Sequence, residues 1–316
     1  MRWLKKGLVF APSGSFDWMV SHAQIPLVDR LNDDVLRIYF SARDAQGRSL
    51  PGYIEVEADD PRKIRYVHDK PVLPLGKLGA FDDDGIMPSW IVNYDGRKYL
   101  YYIGWNRRVT VPYHLSIGLS VSEDGGEHYE KYSEGPICDR SFGEPYFNTG
   151  PCVLVEGTVW KMWYGSCTKW EIIDNHPEPF YNVKYTESPD GIYWQKPGLL
   201  CLDYDDFTAG YGRPFVAPDK CGYRMFYSYR SATGYRSDPK QSYRIGYAES
   251  IDGRNWVRRD DMVGIDRSEG GWDSEMMCYC FIYEHKGIKY MLYNGNGFGK
   301  TGFGYAVLEE EGATCK

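Results

Sequence analysis

The chain has 316 residues, 42% hydrophobic and 26% charged, which is the balance of a soluble globular protein with ample length for a large core. A formal net charge of −7 without any Lys/Arg run excludes a nucleic-acid partner, and no apolar window is long enough for a membrane helix. Aromatic residues are the outlier at 16%, with 28 Tyr and 10 Trp, residue types that favour strands and offer flat faces to ligands.

The opening MRWLKKGLVFAP is basic and briefly apolar, but Pro12 and Gly14 interrupt it too soon for a signal peptide, so a cytoplasmic location is expected. From Gly14 onward one pattern recurs. The segments GSFDWMVSHAQIP, GAFDDDGIMPSW, GEPYFNTGPCV, FTAGYGRPFV and GWDSEMMCYC each approach a strand. Each is followed by an aromatic strand: LRIYFSA, KYLYYIG, WKMWYGS, YRMFYSY and KYMLYNG. Aligning those aromatic strands makes Pro26, Pro88, Pro151, Pro214 and Tyr279 equivalent, separated by 62, 63, 63 and 65 residues. Third strands follow (GYIEV, IGLSV, VKYTE, IGYAE, FGYAV), three of them running into SEDGGEHY, SPDGIYW and SIDGRNW. The Asp-Gly pair supplies the positive φ of a tight turn. Fourth strands begin at IRYVHDK, YEKYS, WQKPGLLCL and WVRRDD, while the fifth unit lacks one and the N-terminal WLKKGLVF resembles it. The fold class predicted is all-β: a five-bladed β-propeller of four-stranded blades, a single domain over residues 1–316, its ring closed by the N-terminal strand in the last blade. Cys167 to Phe180 and Ser231 to Ser242 read as long irregular connections overhanging one face. Cys138, Cys152, Cys167, Cys201, Cys221, Cys278, Cys280 and Cys315 form no CxxC pair and read as free thiols, with no zinc signal and no cofactor motif.

First strands line the channel of a propeller, so its mouth falls to residues just before each aligned position. Four before stand His22, Asp84, Phe147, Gly210 and Glu275; three before stand Ala23, Gly85, Asn148, Tyr211 and Met276; closer still are Gln24, Thr149 and Arg213. Polar groups there, where a buried strand would carry Val or Ile, describe a polar funnel. His22 suits an acid, a base or the ligand of a central metal, against the plainer role of a hydrogen-bonded histidine. Asp84 competes with turn capping, and Glu275 pairs with Arg213 if it is buried. Trp170, in the long connection, is the best exposed face for stacking on a sugar.

The repeated S-x-D-G-x-x-W turns and the G-x-[FW]-D approach resemble the glycosidase-like propellers, glycoside hydrolase families 43, 32, 68 and 130, over the whole chain. That resemblance implies carbohydrate chemistry by carboxylates from different blades. The family 43 pattern of Asp, Asp and Glu is not kept: the first unit offers His22, with Asp17 five residues earlier, and the third reads Thr149-Gly150-Pro151. The expected function is therefore a glycoside hydrolase with Asp84 and Glu275 as the acid/base pair. Substrate binding falls to His22, Gln24, Asn148, Thr149, Arg213, Tyr211 and Trp170, and Arg213 points to an anionic glycoside. The alternative is a non-catalytic sugar or nucleotide-sugar binding propeller of polysaccharide biosynthesis, favoured by the missing acids. A minor alternative is a phosphorylase, with Arg213 and His22 on phosphate. The partner expected is a small carbohydrate, and nothing readable sets an oligomeric state.

Overall fold

The structure, a computed structural model, describes residues 1–310. It is all-β with almost no helix: twenty strands, a 3-10 turn at Asp260–Met262 and one short helical turn, α1 (Asn296–Gly299). Antiparallel four-stranded sheets dominate. One sheet holds β10 (Asn148–Glu156), β11 (Val159–Ile173), β12 (His176–Ser188) and β13 (Leu199–Leu202). Another holds β14 (Thr208–Asp219), β15 (Gly222–Ser231), β16 (Arg244–Ser250) and β17 (Val257–Arg258). In a third, β18 (Cys278–His285), β19 (Ile288–Asn294) and β20 (Phe303–Glu310) are completed by β1 (Arg2–Phe10), which pairs antiparallel with β20. The remaining sheet joins β2 (Ser21–Arg30), β3 (Val35–Arg43), β4 (Ser49–Glu57) and β5 (Ile64–Val67) to β6 (Gly85–Tyr94), β7 (Arg97–Arg107), β8 (Tyr113–Ser122) and β9 (Glu130–Lys131). A single parallel pair, Ser49 with Gly85, links its two halves.

The first strands of the units meet one another. β2 packs on β6 and β18, β10 on β6 and β14, and β14 on β18. At their centre the Arg213 guanidinium donates to the carbonyls of Cys280, Pro26 (3.2 Å) and Ser89 (3.4 Å), so one side chain of β14 ties down three other first strands. The Ser89 hydroxyl donates to the Pro151 carbonyl at 3.0 Å.

Strand pairing corrects the alignment in two units. Leu27 faces Tyr39, Trp90 faces Tyr101, Cys152 faces Trp163, Phe215 faces Phe226 and Phe281 faces Leu292. The equivalent positions are thus Pro26, Ser89, Pro151, Pro214 and Cys280, one residue later than Pro88 and Tyr279. In all five units the ladder also shifts register just before these positions, at a β-bulge. Ile25, Gly150, Arg213 and Tyr279 all have positive φ there.

Two motifs hold the units. In the S-x-D-G turns the Ser188 and Ser250 hydroxyls accept the N–H of Gly191 and Gly253, and Asp190 and Asp252 accept two further backbone N–H groups each. The glycine carbonyl then accepts from the preceding unit: Tyr101 Oη donates to Gly191 (2.9 Å), Trp163 Nε1 to Gly253 (2.7 Å) and Tyr39 Oη to Gly126 (3.4 Å). The acid of the approach segment clamps its own unit. Asp82 accepts from Tyr102 and Lys131, Glu144 from Tyr164, Lys184 and Lys196, and Asp273 from Tyr293 and Lys5.

The stretch from Cys167 to Phe180 is not irregular: β11 and β12 extend through it, pairing down to Ile173 with His176 around a turn at Asp174 and Asn175. Ala232 to Tyr243 carries no strand. Cys221 is disulfide-bonded, which corrects its reading as a free thiol, since scattered spacing says nothing of which Cβ atoms come within reach. Cys138, Cys152, Cys167, Cys201, Cys278 and Cys280 are free, and Cys315 lies outside the described residues. Among the described residues no helix is long and apolar enough to cross a membrane.

Candidate functional site

A cavity of about 150 Å³, open to solvent at its mouth, sits where the first strands converge. Its floor comes from the bulged positions one or two residues before the corrected alignment: Gln24, Ile25, Met87, Thr149, Gly150, Gly212, Arg213 and Tyr279. A one-residue slip turns a strand's side chains to the other face, so the register decides which residues look inward. The walls come from second and third strands and from the irregular connection. Trp105 and Tyr113 stand on one side, Tyr181, Arg230, Tyr235, Arg236 and Tyr243 on the other, with Arg43 at the end of β3.

Gln24, Thr149 and Arg213 are the sequence-derived candidates found in the lining. Asp84 is outside it, its carboxylate on Arg107 Nε at 2.6 Å. Glu275 is exposed, and its backbone N–H donates to Asn296 Oδ1. It makes no pair with Arg213, whose Nη groups are spent on carbonyls. Both acids stand four residues before Pro88 and Tyr279, and so five before the equivalent positions Ser89 and Cys280. His22 is half-buried beside the cavity, bonded to Ser21 Oγ at 2.9 Å, and burial, with Arg43 and Lys300 adding to it, pushes its pKa down to about 4. Asn148 is buried in the Glu144–Lys196 network. Tyr211 is core, its hydroxyl on Thr208 and its ring against Tyr227. Trp170 is half-buried rather than exposed, edge-on to Tyr113 (5.3 Å) and Phe147 (5.9 Å), because β11 carries it under the cavity wall.

Among the described residues no Asp, Glu or His lines the cavity, whereas four arginines do. Burial pushes the Arg213 pKa down to about 10. Arg230 donates to the carbonyls of Ser231 (3.0 Å) and Pro179 (2.5 Å) and lies 3.9 Å from the centre of the Tyr235 ring. Arg236 pairs with Glu178 at 3.1 Å, a carboxylate that also accepts from Tyr235. Arg43 Nε donates to Gln24 Oε1 at 3.2 Å. Burial raises the Tyr113, Tyr181 and Tyr279 hydroxyls, keeping them neutral donors, and Tyr181 bonds Tyr243 hydroxyl to hydroxyl. Among the described residues no group of three or more His, Cys, Asp or Glu is disposed to hold a metal ion. The sequence did carry a signal for the arginines: FSAR ends β3 and YSYR stops one residue short of the end of β15, with Arg43 and Arg230 three residues past the aligned aromatics Phe40 and Tyr227.

Over 312 residues the chain is 39% identical to the uncharacterized protein Rv1502 of Mycobacterium tuberculosis (strain ATCC 25618 / H37Rv), covering 98% of this chain and 100% of that one. The chain belongs to the Rv1502 family. No protein-family model matches it. Among solved structures, a glycoside hydrolase shares the fold with a TM-score of 0.73 at 18% identity, over 99% of this chain and 93% of its own. A thermostable family-43 glycoside hydrolase does so with a TM-score of 0.64 at 16% identity, over 91% and 88%. Family 32 and family 130 proteins are also similar in fold. For this member of the Rv1502 family the likeness establishes a β-propeller fold, and the chemistry must be argued from its own cavity.

Proposed function

We propose that this chain is a saccharide-binding protein, a five-bladed propeller forming one domain over residues 1–316 and closed by β1, with its ligand in the central cavity. The observation that carries the reading is the lining: tyrosine and tryptophan faces, Gln24, Thr149 and arginines, without a carboxylate among the described residues. Aromatic faces cover the C–H face of a sugar while a few fixed polar groups orient its hydroxyls. Hydrolysis needs two carboxyl groups roughly 5–10 Å apart across the scissile bond, and the lining supplies none.

Hydrolysis by Asp84 with Glu275 is the second reading. It is favoured by the fold and by the attachment of Asp84 to the cavity wall, where its N–H donates to the Trp105 carbonyl. The test is one glycoside panel with two readouts, tryptophan fluorescence for binding and product release for turnover. Expected are saturable binding without turnover, and affinity lost by about tenfold in Tyr113→Ala, a stacking face worth ~1–2 kcal/mol. Turnover in the wild type that disappears in Asp84→Asn or Glu275→Gln would overturn the binding reading in favour of the hydrolase.

A further inference from the structure

We propose that Arg43 anchors an acidic group of the bound saccharide, a carboxylate or a phosphate, so that the cavity is a receptor for acidic sugars. The inference rests on the saccharide reading of the same cavity and adds the class of ligand.

The comparison within the chain is between Arg43 and Arg230, which occupy the same place in two units. Arg230 spends both Nη groups on carbonyls, and Arg213 does likewise; in each, the buried Nε keeps no acceptor. These are structural cations. Arg236 is neutralised by Glu178. Arg43 differs from all three. Its Nε is held by Gln24, which fixes the plane of the guanidinium, and its two Nη groups bond nothing among the described residues while the side chain lines the cavity. A half-buried guanidinium with two parallel donors left open matches the two oxygens of a carboxylate or phosphate.

The surroundings point the same way. The lining carries four arginines, and among the described residues the one carboxylate paired with them, Glu178, is outside the lining and on Arg236. Buried charge without a counter-ion is costly, and an anion supplies the missing partner. His22 and Lys300 stand on the Arg43 side of the cavity, and burial lowers the Arg43 pKa with only Tyr279 opposing.

The test is calorimetric titration of the whole chain with matched neutral and acidic sugars in the gluco, galacto and manno series. Each series pairs the hexose with its uronic acid and its 6-phosphate, and inorganic phosphate serves as a sugar-free probe. Wild type is compared with Arg43→Gln and the conservative Arg43→Lys, with melting temperature as the check on folding. An acidic sugar should bind at least about tenfold tighter than its neutral partner, Arg43→Gln should erase that preference, and Arg43→Lys should keep part of it. Whether the uronate or the phosphate gains identifies the acid. Equal affinity for neutral and acidic partners, or a preference that survives Arg43→Gln, would overturn the proposal. Arg43-dependent phosphate binding with no sugar bound would keep the anion site and sink the saccharide reading; no binding of any probe by folded protein would sink both.

Discussion

Asp82 and Asp17 stand at the same place in two G-x-F-D segments, yet Asp82 is buried and Asp17 is exposed. The difference lies in a partner. Asp82 meets the Tyr102 hydroxyl at 3.1 Å and Lys131 at 2.7 Å, whereas the residue aligned with Tyr102 in the first unit is Phe40, which has no hydroxyl to give. Removing one member of a buried pair strands the other, so Asp82→Ala should cost about 3–5 kcal/mol in urea unfolding. Asp17→Ala should stay within ~0.5 kcal/mol. Equal losses would mean that the clamp is not what holds the unit. His22 carries a second prediction. Its folded pKa, pushed down to about 4 by burial and then by Arg43 and Lys300, lies below the ~6.5 of an unfolded histidine. Between those values the unfolded chain takes up a proton that the folded chain refuses. Stability is therefore full above pH ~6.5 and falls as the pH drops toward 4, by about 1–2 kcal/mol once partial exposure is discounted. His22→Asn tolerates the positive φ at this position and should flatten that part of the stability profile relative to wild type.

At the scale of the strand and its turn, the legible features were those that build the fold. Aromatic second strands recur in all five units, and the Asp-Gly turns and the clamping acids Asp82, Glu144 and Asp273 in three each, because those units use the same staples, and repetition is what a sequence displays. The cavity was less legible for a geometric reason. The Ile25, Gly150, Arg213 and Tyr279 bulges shift the pairing, and in two units the proline or tyrosine that marks the strand stands one residue from the true equivalent position. Asp84 and Glu275 stand five residues before the true equivalent positions Ser89 and Cys280, whereas Gln24, Thr149 and Arg213 stand one or two before theirs; His22, Asn148 and Tyr211, three or four before, are outside the lining as well. Arg43 and Arg230 sit on second strands, away from the first-strand positions to which the repeat points. The turns themselves are testable. At Gly191, φ is +75° and an added Cβ would meet the Trp160 ring at 2.5 Å and the Tyr101 hydroxyl at 2.6 Å. At Gly157, φ is +60° but nothing lies within 4 Å. Gly157→Ala should cost only the ~1 kcal/mol of backbone strain, and Gly191→Ala at least ~3 kcal/mol, since it also forces two units apart. Equal chemical-denaturation midpoints for the two variants would refute the inter-unit role of the turn.

On the scale of the molecule, the proposed ring depends on an outer strand drawn from the far end of the chain. Trp3-Leu4-Lys5 lies in β1 as Trp256-Val257-Arg258 lies at β17 and Tyr129-Glu130-Lys131 at β9, aromatic then cation two residues on. Lys5 reaches Asp273 at 2.7 Å, as Lys131 reaches Asp82, and the Trp3 N–H donates to the Gly264 carbonyl at 3.1 Å. The same local rule is thus satisfied by a residue more than 260 positions away in sequence. Deleting residues 1–10 should leave the β20 edge unpaired and the Asp273–Tyr293 pair without its cation. The expected result is loss of a large share of the ~5–15 kcal/mol that holds a domain, with aggregation through the open edge. A synthetic peptide of residues 1–10 should restore the melting transition by adding as a strand, and the same peptide with Lys5→Met should bind at least about tenfold more weakly. Because the peptide brings the strand without the covalent connection, rescue separates closure of the ring from any effect of shortening the chain. A truncated protein that melts like the full chain and ignores the peptide would show that β1 is an ornament on the last sheet rather than its fourth strand.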